Sequence, residues 1–354
     1  MRNANKIVIM IGSLNRGGAE RVVSIIADEL CQRGWEVAIC LLLSNQVEYS
    51  INPQVKIVDM TGDMNLSRLK RLPGWIREIR CFTKKYKPDV ILSFVARINI
   101  IAQLATLGLK IPIIVSERND PKSDGRGILV DFMTRLLYPH AKSVVFQTKR
   151  AQGYFSESVR KNSVIITNPI EVSSYRKNVT RGKVVTVGRL MPQKNHIMLI
   201  DAFAQLCCSF QEMELYIYGE GYLYGHLEAY AEKLGVKTKV HLMGNVRDIH
   251  NQISDAEMFV LSSDYEGLSN ALLEAMMLSI PCISTRCAGS DEYIINNENG
   301  LLVDVGDKSA LVEAMIKLHL DPDCAKRLGL SARESSKLFE RKNVIDKWCE
   351  ITEP

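Results

Sequence analysis

Two carboxylates frame one segment of the chain, residues 266–274, whose sequence is EGLSNALLE. The segment follows an apolar run that ends at Leu261. This pattern predicts a strand, a polar loop that carries Glu266, and a helix that begins near Leu268 and holds Glu274 in its second turn. N–H groups at a helix start attract anions, and carboxylates accept hydrogen bonds from hydroxyl groups. The segment therefore favours a sugar-nucleotide site; a solvated loop residue and an exposed helix residue are the alternative.

A second segment places two cations after another predicted strand. Residues 184–187 are β-branched and lead into Gly188, and the loop that follows carries Arg189 and Lys194. Open α/β sheets bind ligands beyond the carboxyl ends of their parallel strands. Cations at that edge neutralise the charge that grows on a departing diphosphate, a task that a metal ion performs in other transferases. Two exposed cations on a connecting loop are the alternative.

These segments occur with further motifs in the order of one enzyme family. The chain resembles the family 4 glycosyltransferases, in which Gly-Arg and Lys-Asn precede Gly-Glu-Gly, and Glu-Gly precedes Glu-Ala-Met. The corresponding residues here are Gly188-Arg189, Lys194-Asn195, Gly219-Glu220-Gly221, Glu266-Gly267 and Glu274-Ala275-Met276, together with residues 17–21 and Asn168-Pro169. The resemblance spans most of the chain.

The resemblance implies a fold and a reaction. Its members have the GT-B fold, an α/β architecture in which two Rossmann-like domains face each other across a cleft. We expect an N-terminal acceptor domain over residues 1–170 and a C-terminal donor domain over residues 171–336. A helix within residues 337–354 is expected to pack back onto the first domain. The resemblance also implies retaining transfer from a nucleotide-sugar co-substrate, without a metal ion or another cofactor.

The resemblance further implies roles for individual residues. Arg189 and Lys194 would bind the donor diphosphate. Glu266 would contact the transferred sugar, and Glu274 would bind the ribose hydroxyls. Loop glycines and neighbouring residues complete the predicted donor site: Gly17, Gly18, Gly188, Asn245, Gly267, Leu268, Ser269 and Asn270. For Gly17 and Gly18, an ordinary turn before a helix is the alternative.

One loop departs from the family pattern. Many relatives have a histidine in the neighbourhood of residues 116–121, where this chain has Arg118. We expect Glu117 and Arg118 to lie in the cleft, with Glu117 contacting the acceptor or transferring a proton. An exposed ion pair is the alternative. The predicted catalytic residues are Glu266, Arg189, Lys194 and Glu117.

Alternating apolar strands and amphipathic helices predict two α/β halves. Strands are expected at residues 6–11, 36–42, 89–93, 112–116, 142–146 and 163–166, and again at 183–188, 213–218, 239–242, 257–261, 281–284 and 300–303. Helices are expected at residues 19–33, 68–87, 97–108 and 127–138, with a final helix at 337–351. The polar residues 171–182 are the predicted linker.

Charge suggests a further partner. The net charge is +5, and residues 66–87 contain eight Lys or Arg residues against Glu78 alone. Apolar residues at helical spacing form a stripe there, which Pro73 and Gly74 are expected to interrupt. A basic amphipathic element with Trp75 suits an anionic membrane surface; the alternative is a helix whose stripe packs on a sheet. Nucleic acid is not expected, because no aromatic residues alternate with cations in a base-stacking array.

Composition gives the expected compartment. The nine cysteines include no Cys-x-x-Cys pair, no secretory segment opens the sequence, and the apolar runs are too short to span a bilayer. These features predict a cytoplasmic protein, peripheral at the inner face of the cytoplasmic membrane. The histidines are dispersed without ligand spacing, so no metal site is predicted.

Three functions fit the sequence. The first is a retaining transferase that moves a hexose or N-acetylhexosamine from a nucleotide-sugar, expected to be UDP-linked. Its acceptor would be a lipid-linked or polysaccharide glycan in bacterial envelope synthesis, such as capsule or O-antigen. The second is a nucleotide-sugar epimerase of the same fold, and the third is a non-catalytic sugar-nucleotide-binding protein.

Overall fold

The chain folds into two compact units. The computed structural model describes residues 5–15 and 17–353. The first unit contains the residues up to Pro169 together with those from Arg341 onward, and the second unit contains Ile170–Glu340.

The first unit is built on a parallel sheet of seven strands in the order β3-β2-β1-β4-β5-β6-β7. The strands are β1 Lys6–Ile11, β2 Glu36–Leu41, β3 Lys56–Asp59, β4 Val90–Phe94, β5 Ile113–Ser116, β6 Ser143–Phe146 and β7 Ser163–Ile165. The helices of this half are α1 Gly18–Gln32, α2 Arg68–Tyr86, α3 Ala96–Thr106, α4 Gly127–Leu137, α5 Lys149–Gly153 and α6 Glu157–Lys161.

The second unit repeats this plan with six parallel strands in the order β10-β9-β8-β11-β12-β13. The strands are β8 Thr180–Val187, β9 Glu214–Tyr218, β10 Val240–Gly244, β11 Ala256–Leu261, β12 Cys282–Thr285 and β13 Leu301–Val303. The helices are α7 His196–Ser209, α8 Tyr224–Lys233, α9 Ile249–Ile253, α10 Asn270–Met277, α11 Ala288–Tyr293, α12 Lys308–Leu320 and α13 Pro322–Ser336. The last helix, α14 Arg341–Thr352, belongs to the first unit.

Both faces of each sheet are buried, as near-continuous apolar strands require. In β1, Ile9 packs among residues of α1 and α14, whereas its neighbour Met10 packs among residues of α2 and α3. The Trp348 ring of α14 is fully buried, with its centroid 5.7 Å from that of Phe94. The final helix therefore completes the core of the first unit.

The predicted strands all form, and β3 is an additional strand that the sequence did not predict. Its residues, KIVD, are exposed or half-buried at the edge of the sheet. An edge strand with so little buried surface has no clear apolar alternation, which explains why the pattern did not show it.

The prediction of a linker at residues 171–182 is wrong. The chain passes between units at Pro169 and Ile170, and the polar stretch belongs to the second unit. Its backbone and side chains bind the end of α9: the Lys177 N–H and the Arg176 guanidinium donate to the Ser254 carbonyl at 3.1 and 3.0 Å. Strand β8 already begins at Thr180. The polar groups are thus paired within a domain, where polarity alone suggested a solvated connection.

The helix predicted at residues 68–87 forms as α2, and it runs through Pro73. A proline cannot donate a hydrogen bond to the carbonyl of Leu69. Leu69 is 78% exposed, so water can satisfy that carbonyl. Farther along the helix, Trp75 and Ile79 are buried on the sheet, at 3% and 0% exposed.

Candidate functional site

The predicted donor residues of the second unit collect at one edge of its sheet. Gly188 follows β8, Asn245 follows β10, and the segment that starts at Glu266 follows β11. Strands β8 and β11 are neighbours, and the chain leaves β8 toward β9 on one side before it returns to β11 on the other. This reversal of strand order is where open α/β sheets bind ligands.

Lys194 and Glu266 join the two loops directly. The Lys194 ammonium forms an ion pair with a Glu266 carboxylate oxygen, and both side chains are almost buried, at 13% and 10% exposed. The same oxygen accepts a hydrogen bond from Ser263 Oγ at 3.0 Å. The cation and the carboxylate that the sequence assigned to diphosphate and sugar therefore lie in one site.

Backbone and side-chain hydrogen bonds fix the positions of the two loops relative to each other. The Asp264 N–H donates to the Gln193 carbonyl at 2.9 Å, and Asn195 Nδ2 donates to Asp264 Oδ1 at 2.7 Å. Asn195 has a left-handed backbone (φ 45°), and its side-chain oxygen accepts from the Met198 N–H at the start of α7. In the Lys-Asn motif, Lys194 therefore supplies a positive charge and Asn195 caps the following helix.

Glycines let a third loop approach the first. A Cβ at Gly219 would lie 2.0 Å from the Gly188 carbonyl oxygen, and φ of Gly219 is 137°. A Cβ at Gly221 would lie 2.3 Å from the Leu190 carbonyl oxygen. The Gly-Glu-Gly motif therefore supports the loop of Arg189 through close backbone packing, which only glycine permits at Gly219.

Arg189 and Asn245 are exposed at this edge. The Arg189 guanidinium forms no ion pair within the described part of the chain. Asn245 follows Gly244, whose carbonyl accepts from the Gly219 N–H at 2.8 Å. Both side chains are accessible to a ligand.

Helix α10 begins two residues later than the sequence predicted, at Asn270, and Glu274 still falls in its second turn. Ser269 occupies the N-cap position without a side-chain capping hydrogen bond. The backbone of Gly289 lies close to this loop, since a Cβ at Gly289 would lie 2.2 Å from the Gly267 carbonyl oxygen. The helix start at residues 268–270 thus lies in a tightly packed loop beside the Lys194–Glu266 pair.

Glu274 is not the exposed helix residue of the alternative interpretation. It is 4% exposed, and its Oε2 lies 3.6 Å from Nε2 of His250, which is 7% exposed. Its predicted contact with the ribose hydroxyls stays a prediction.

His196 opens α7 next to Lys194 and is 3% exposed. Burial, together with the charge of Lys194, lowers the pKa of His196 to about 4. The imidazole is therefore neutral at pH 7. It adds no positive charge to the phosphate-directed loop.

In the first unit, Glu117 lies in the interior. Its side chain is 1% exposed and pairs with Arg126 at 2.8 Å, and it accepts a hydrogen bond from the Tyr138 hydroxyl. Burial raises the pKa of Glu117, against the opposing effect of Arg126. This geometry favours a structural role over the acceptor contact or proton transfer that the sequence predicted, because its oxygens are occupied by buried partners.

Arg118 is likewise buried, at 7% exposed, which excludes the exposed ion pair of the alternative interpretation. Its guanidinium donates to Asn168 Oδ1 and, at 3.4 Å, to Ser116 Oγ, and it lies 5.7 Å from the centre of the Phe94 ring. Burial lowers the pKa of Arg118 to about 9. Neutral partners at the carboxyl edge of the first sheet, together with the charge of Glu20, partly offset the cost of burying this charge.

Gly17 forms the N-cap of α1, and Gly18 is the first residue of that helix. The Tyr49 hydroxyl donates to the Gly17 carbonyl at 2.9 Å and accepts from its N–H at 3.1 Å. A Cβ at Gly17 would lie 2.2 Å from Glu20 Oε2. The structure thus gives Gly17 a local role at the helix start, and its predicted contact with the donor stays a prediction.

Within the described residues, no group of three or more His, Cys, Asp or Glu side chains could hold a metal ion. No helix in the described ranges combines the length and the apolar character needed to cross a bilayer.

Comparison with known proteins identifies the family. Residues 17–170 match the model of the Glycosyl transferase 4-like domain, and residues 168–335 match the model of Glycosyl transferases group 1. The chain is a family 4 glycosyltransferase. The resemblance drawn from the motifs is confirmed.

Curated relatives of this glycosyltransferase are also sugar transferases. It is 28% identical over 359 residues to the GalNAc-α-(1→4)-GalNAc-α-(1→3)-diNAcBac-PP-undecaprenol α-1,4-N-acetyl-D-galactosaminyltransferase of Campylobacter jejuni, with 98% of each chain covered. It is 22% identical to an amylovoran biosynthesis glycosyltransferase of Erwinia amylovora, covering 98% of this chain and 99% of the relative. The predicted enzyme class, hexosyltransferase, is confirmed.

Solved structures confirm the GT-B fold class. A sucrose-phosphate synthase from Thermosynechococcus elongatus matches with a TM-score of 0.85 at 18% identity, and 98% of each chain is covered. Anabaena HepE in complex with UDP and glucose matches with a TM-score of 0.82, also at 18% identity and 98% coverage of each chain.

Sequence reasoning missed the residues of this glycosyltransferase that assemble the loops around Glu266. Ser263 and Thr285 connect β11, β12 and Glu266, since Thr285 Oγ1 donates to the Ser263 carbonyl at 2.6 Å. His250 was considered only as one of the dispersed histidines. Its proximity to Glu274 arises from tertiary packing, so no local pattern could have indicated it.

Proposed function

We propose that this glycosyltransferase moves a hexosyl or N-acetylhexosaminyl group from a UDP-linked sugar to a lipid-linked glycan of the bacterial envelope. The observation that carries the donor assignment is the meeting of the Arg189–Lys194 loop and the Glu266 loop at the strand-order reversal of one sheet. The acceptor assignment is supported by the Campylobacter relative, whose name contains a PP-undecaprenol acceptor.

In the proposed reaction, the bond between the anomeric carbon and the diphosphate oxygen breaks. A bond forms between that carbon and an acceptor hydroxyl oxygen, and the hydroxyl proton passes to the departing diphosphate. Arg189 and Lys194 stabilise the charge that develops on the leaving group. Glu266 accepts hydrogen bonds from the sugar, and Glu274 accepts them from the ribose.

The Lys194–Glu266 ion pair explains how a carboxylate can stand next to a diphosphate. Two anions side by side repel strongly in a partly dehydrated site. Lys194 lies against Glu266, so its ammonium can bridge the carboxylate and a phosphate of the donor. The loop hydrogen bonds of Asp264 and Asn195 hold that arrangement.

Incubation of the protein with UDP-N-acetylhexosamines and UDP-hexoses, with and without a prenyl-diphosphate-linked glycan, tests the proposal. We expect UDP release and a lengthened glycan that retains the donor's anomeric configuration only when the glycan is present. Conversion of the donor without an acceptor would instead indicate the epimerase. Binding of the donor without any turnover would indicate the non-catalytic protein.

We further propose that no metal ion takes part, because the cations of the loop after β8 perform the neutralisation. Transfer in the presence of excess EDTA is expected to proceed at the same rate as without it. Abolished transfer that added Mg²⁺ or Mn²⁺ restores would overturn this part of the proposal.

We also infer that the first unit binds an anionic membrane surface, using two helices. The outer side of α2 keeps exposed cations such as Arg68, Arg77 and Lys84, although its tryptophan is buried. Helix α4 supplies exposed apolar side chains: Ile128, Leu129, Phe132 and Leu136 are 91%, 68%, 60% and 51% exposed. Both helices pack against α3, so cations and apolar groups belong to one layer of the unit.

Sedimentation with vesicles that contain anionic lipid tests this surface. The double variant Ile128→Ser/Phe132→Ser should bind roughly tenfold more weakly, because it loses apolar side chains that would enter the interface. Leu330→Ser in the second unit, where Leu330 is 57% exposed, is the matched control and should bind like wild type. Equal sedimentation of all three proteins would remove α4 from the proposal.

A further inference from the structure

His250 connects two parts of the second unit that are distant in sequence. It is the second residue of α9 and is 7% exposed. On one side, the Ser173 N–H donates to His250 Nδ1 at 3.0 Å, and Ser173 Oγ lies 2.9 Å from the same nitrogen. On the other side, Nε2 lies 3.6 Å from Glu274 Oε2.

These contacts determine the tautomer of the neutral ring. A backbone N–H can only donate, so Nδ1 must offer its lone pair to Ser173. The ring proton of neutral His250 is then on Nε2, which faces the carboxylate of Glu274. The separation of 3.6 Å exceeds a normal hydrogen bond, and Nε2 has no other partner in the described structure. A small movement of the Glu274 side chain would complete a charge-assisted hydrogen bond.

Ser173 lies close to the point at which the chain enters the second unit. The boundary between units falls at Pro169 and Ile170. Asp248, the N-cap of α9, also lies 3.4 Å from Ser173 Oγ through its Oδ1. The start of α9 therefore binds Ser173, the last residue of a stretch at 170–173 that we call the crossing segment. His250 lies between Ser173 and Glu274.

We propose that His250 is a positioning residue: it orients Glu274 toward the ribose of the bound nucleotide and couples that carboxylate to the crossing segment. This inference rests on the proposed function, in which Glu274 binds ribose. It goes beyond that function in assigning the buried histidine and in linking nucleotide binding to the chain connection between the units.

Two substitutions separate the two contacts of the ring. The amide of Asn occupies the place of Nδ1, so His250→Asn can still accept from Ser173 but cannot reach Glu274. The amide of Gln occupies the place of Nε2, so His250→Gln can donate to Glu274 but offers no acceptor at the Nδ1 position. The full-length variants are compared by calorimetric titration with UDP.

We expect the Kd of UDP to rise about tenfold in His250→Asn, the effect of losing one hydrogen bond to a charged group. His250→Gln should bind UDP within about threefold of wild type, since it keeps that hydrogen bond. A purely structural histidine would give the opposite order, because the Gln variant loses the Ser173 anchor. That reversed order, or wild-type affinity in His250→Asn, would overturn the inference.

Glu274→Gln distinguishes this inference from the proposed function. Weak UDP binding in Glu274→Gln with normal binding in His250→Asn would overturn the role of His250 alone. Wild-type UDP binding in Glu274→Gln would overturn the ribose assignment, and the inference with it.

Nitrogen chemical shifts of the wild-type protein provide a test that needs no variant. With ¹⁵N-labelled histidine, His250 is expected to carry its proton on Nε2 and to keep Nδ1 as an acceptor. A ring protonated on Nδ1 would contradict the geometry on which the inference depends.

Discussion

At the residue scale, Arg189 and Lys194 have the same predicted task in different surroundings. Arg189 is exposed, whereas Lys194 is already paired with the nearly buried Glu266. The phosphate-directed cations therefore differ in what they contribute to the stability of the fold. This difference allows their roles in catalysis and in folding to be separated.

Replacing either cation by alanine should reduce kcat/KM by an amount equivalent to about 2–4 kcal/mol, as expected when one stabilising group for a developing anion is lost. Only Lys194→Ala should also lower the free energy of unfolding, by about 1–3 kcal/mol, because Glu266 loses its buried partner. Steady-state kinetics and urea unfolding measure the two effects. Unchanged turnover in both variants would contradict the leaving-group role.

His196 gives a pH dependence of stability. Its pKa is about 4 in the folded protein against 6.5 for an ordinary histidine. The unfolded chain therefore binds more protons between these values, and the contribution of His196 to stability, present above pH 6.5, is lost as the pH falls toward 4. The loss should be on the order of 3 kcal/mol.

Urea unfolding at several pH values measures this effect. The slope of unfolding free energy against pH should become shallower between pH 6.5 and 4 in His196→Asn. The control is His140→Asn, which removes an imidazole that is exposed instead of buried. Equal slopes in wild type and His196→Asn would show that the buried imidazole protonates freely.

At the element scale, strands were easier to predict than the segments that join them. Buried parallel strands are continuous apolar runs, so twelve of the strands could be located from the sequence. Residues 171–182 look like a solvated linker because polar groups paired by tertiary hydrogen bonds have the same composition as polar groups in water. Pro73 does not end α2, because the local cost of a proline is small where the unpaired carbonyl reaches water.

The Gly-Glu-Gly loop is an element whose role can be tested. Gly219→Ala would put a Cβ 2.0 Å from the Gly188 carbonyl at a φ of 137°, so the loop of Arg189 would have to move. We expect a loss of unfolding free energy of roughly 1–3 kcal/mol from backbone strain, together with weaker UDP binding. Differential scanning calorimetry and UDP titration measure these two effects.

Gly225→Ala is the matched control for this loop. Gly225 lies in α8, and a Cβ there would meet nothing within 4 Å. That variant should be more stable by about 1 kcal/mol, because alanine is the better helix former. Normal stability and UDP affinity in Gly219→Ala would show that the backbone approach is not required.

At the scale of the whole molecule, the sequence predicted the components of the donor site but not their support. Lys194 and Glu266 could be expected to meet, because charged residues after neighbouring parallel strands converge at one sheet edge. Their roles toward the donor, and that of Glu274, stay predictions. The environment of Glu117 was missed because its partner Arg126 lies in a loop whose path depends on the fold. The link from Glu274 through His250 to the crossing segment depends on the approach of His250 in α9 to Glu274 in α10, which no spacing rule contains.

The contacts from Glu274 through His250 to Ser173 predict an effect of nucleotide binding on the crossing segment. The Ser173 N–H can exchange with solvent only after its hydrogen bond to His250 Nδ1 opens. If bound UDP draws Glu274 and His250 together, the ring becomes more rigid and this opening becomes rarer. Exchange of the Ser173 amide should slow on UDP binding by about tenfold more than the general stabilisation by a ligand requires.

The Lys177 amide measures that general stabilisation within the same stretch of chain. It donates to the Ser254 carbonyl at 3.1 Å, away from the histidine ring. Residue-resolved hydrogen exchange should therefore show a larger UDP effect at Ser173 than at Lys177. The difference should vanish in His250→Asn, because that variant keeps the acceptor for Ser173 but loses the contact with Glu274. Equal slowing of both amides in wild type would mean that nucleotide binding stabilises the second unit as a whole. It would contradict a specific coupling between bound UDP and the crossing segment.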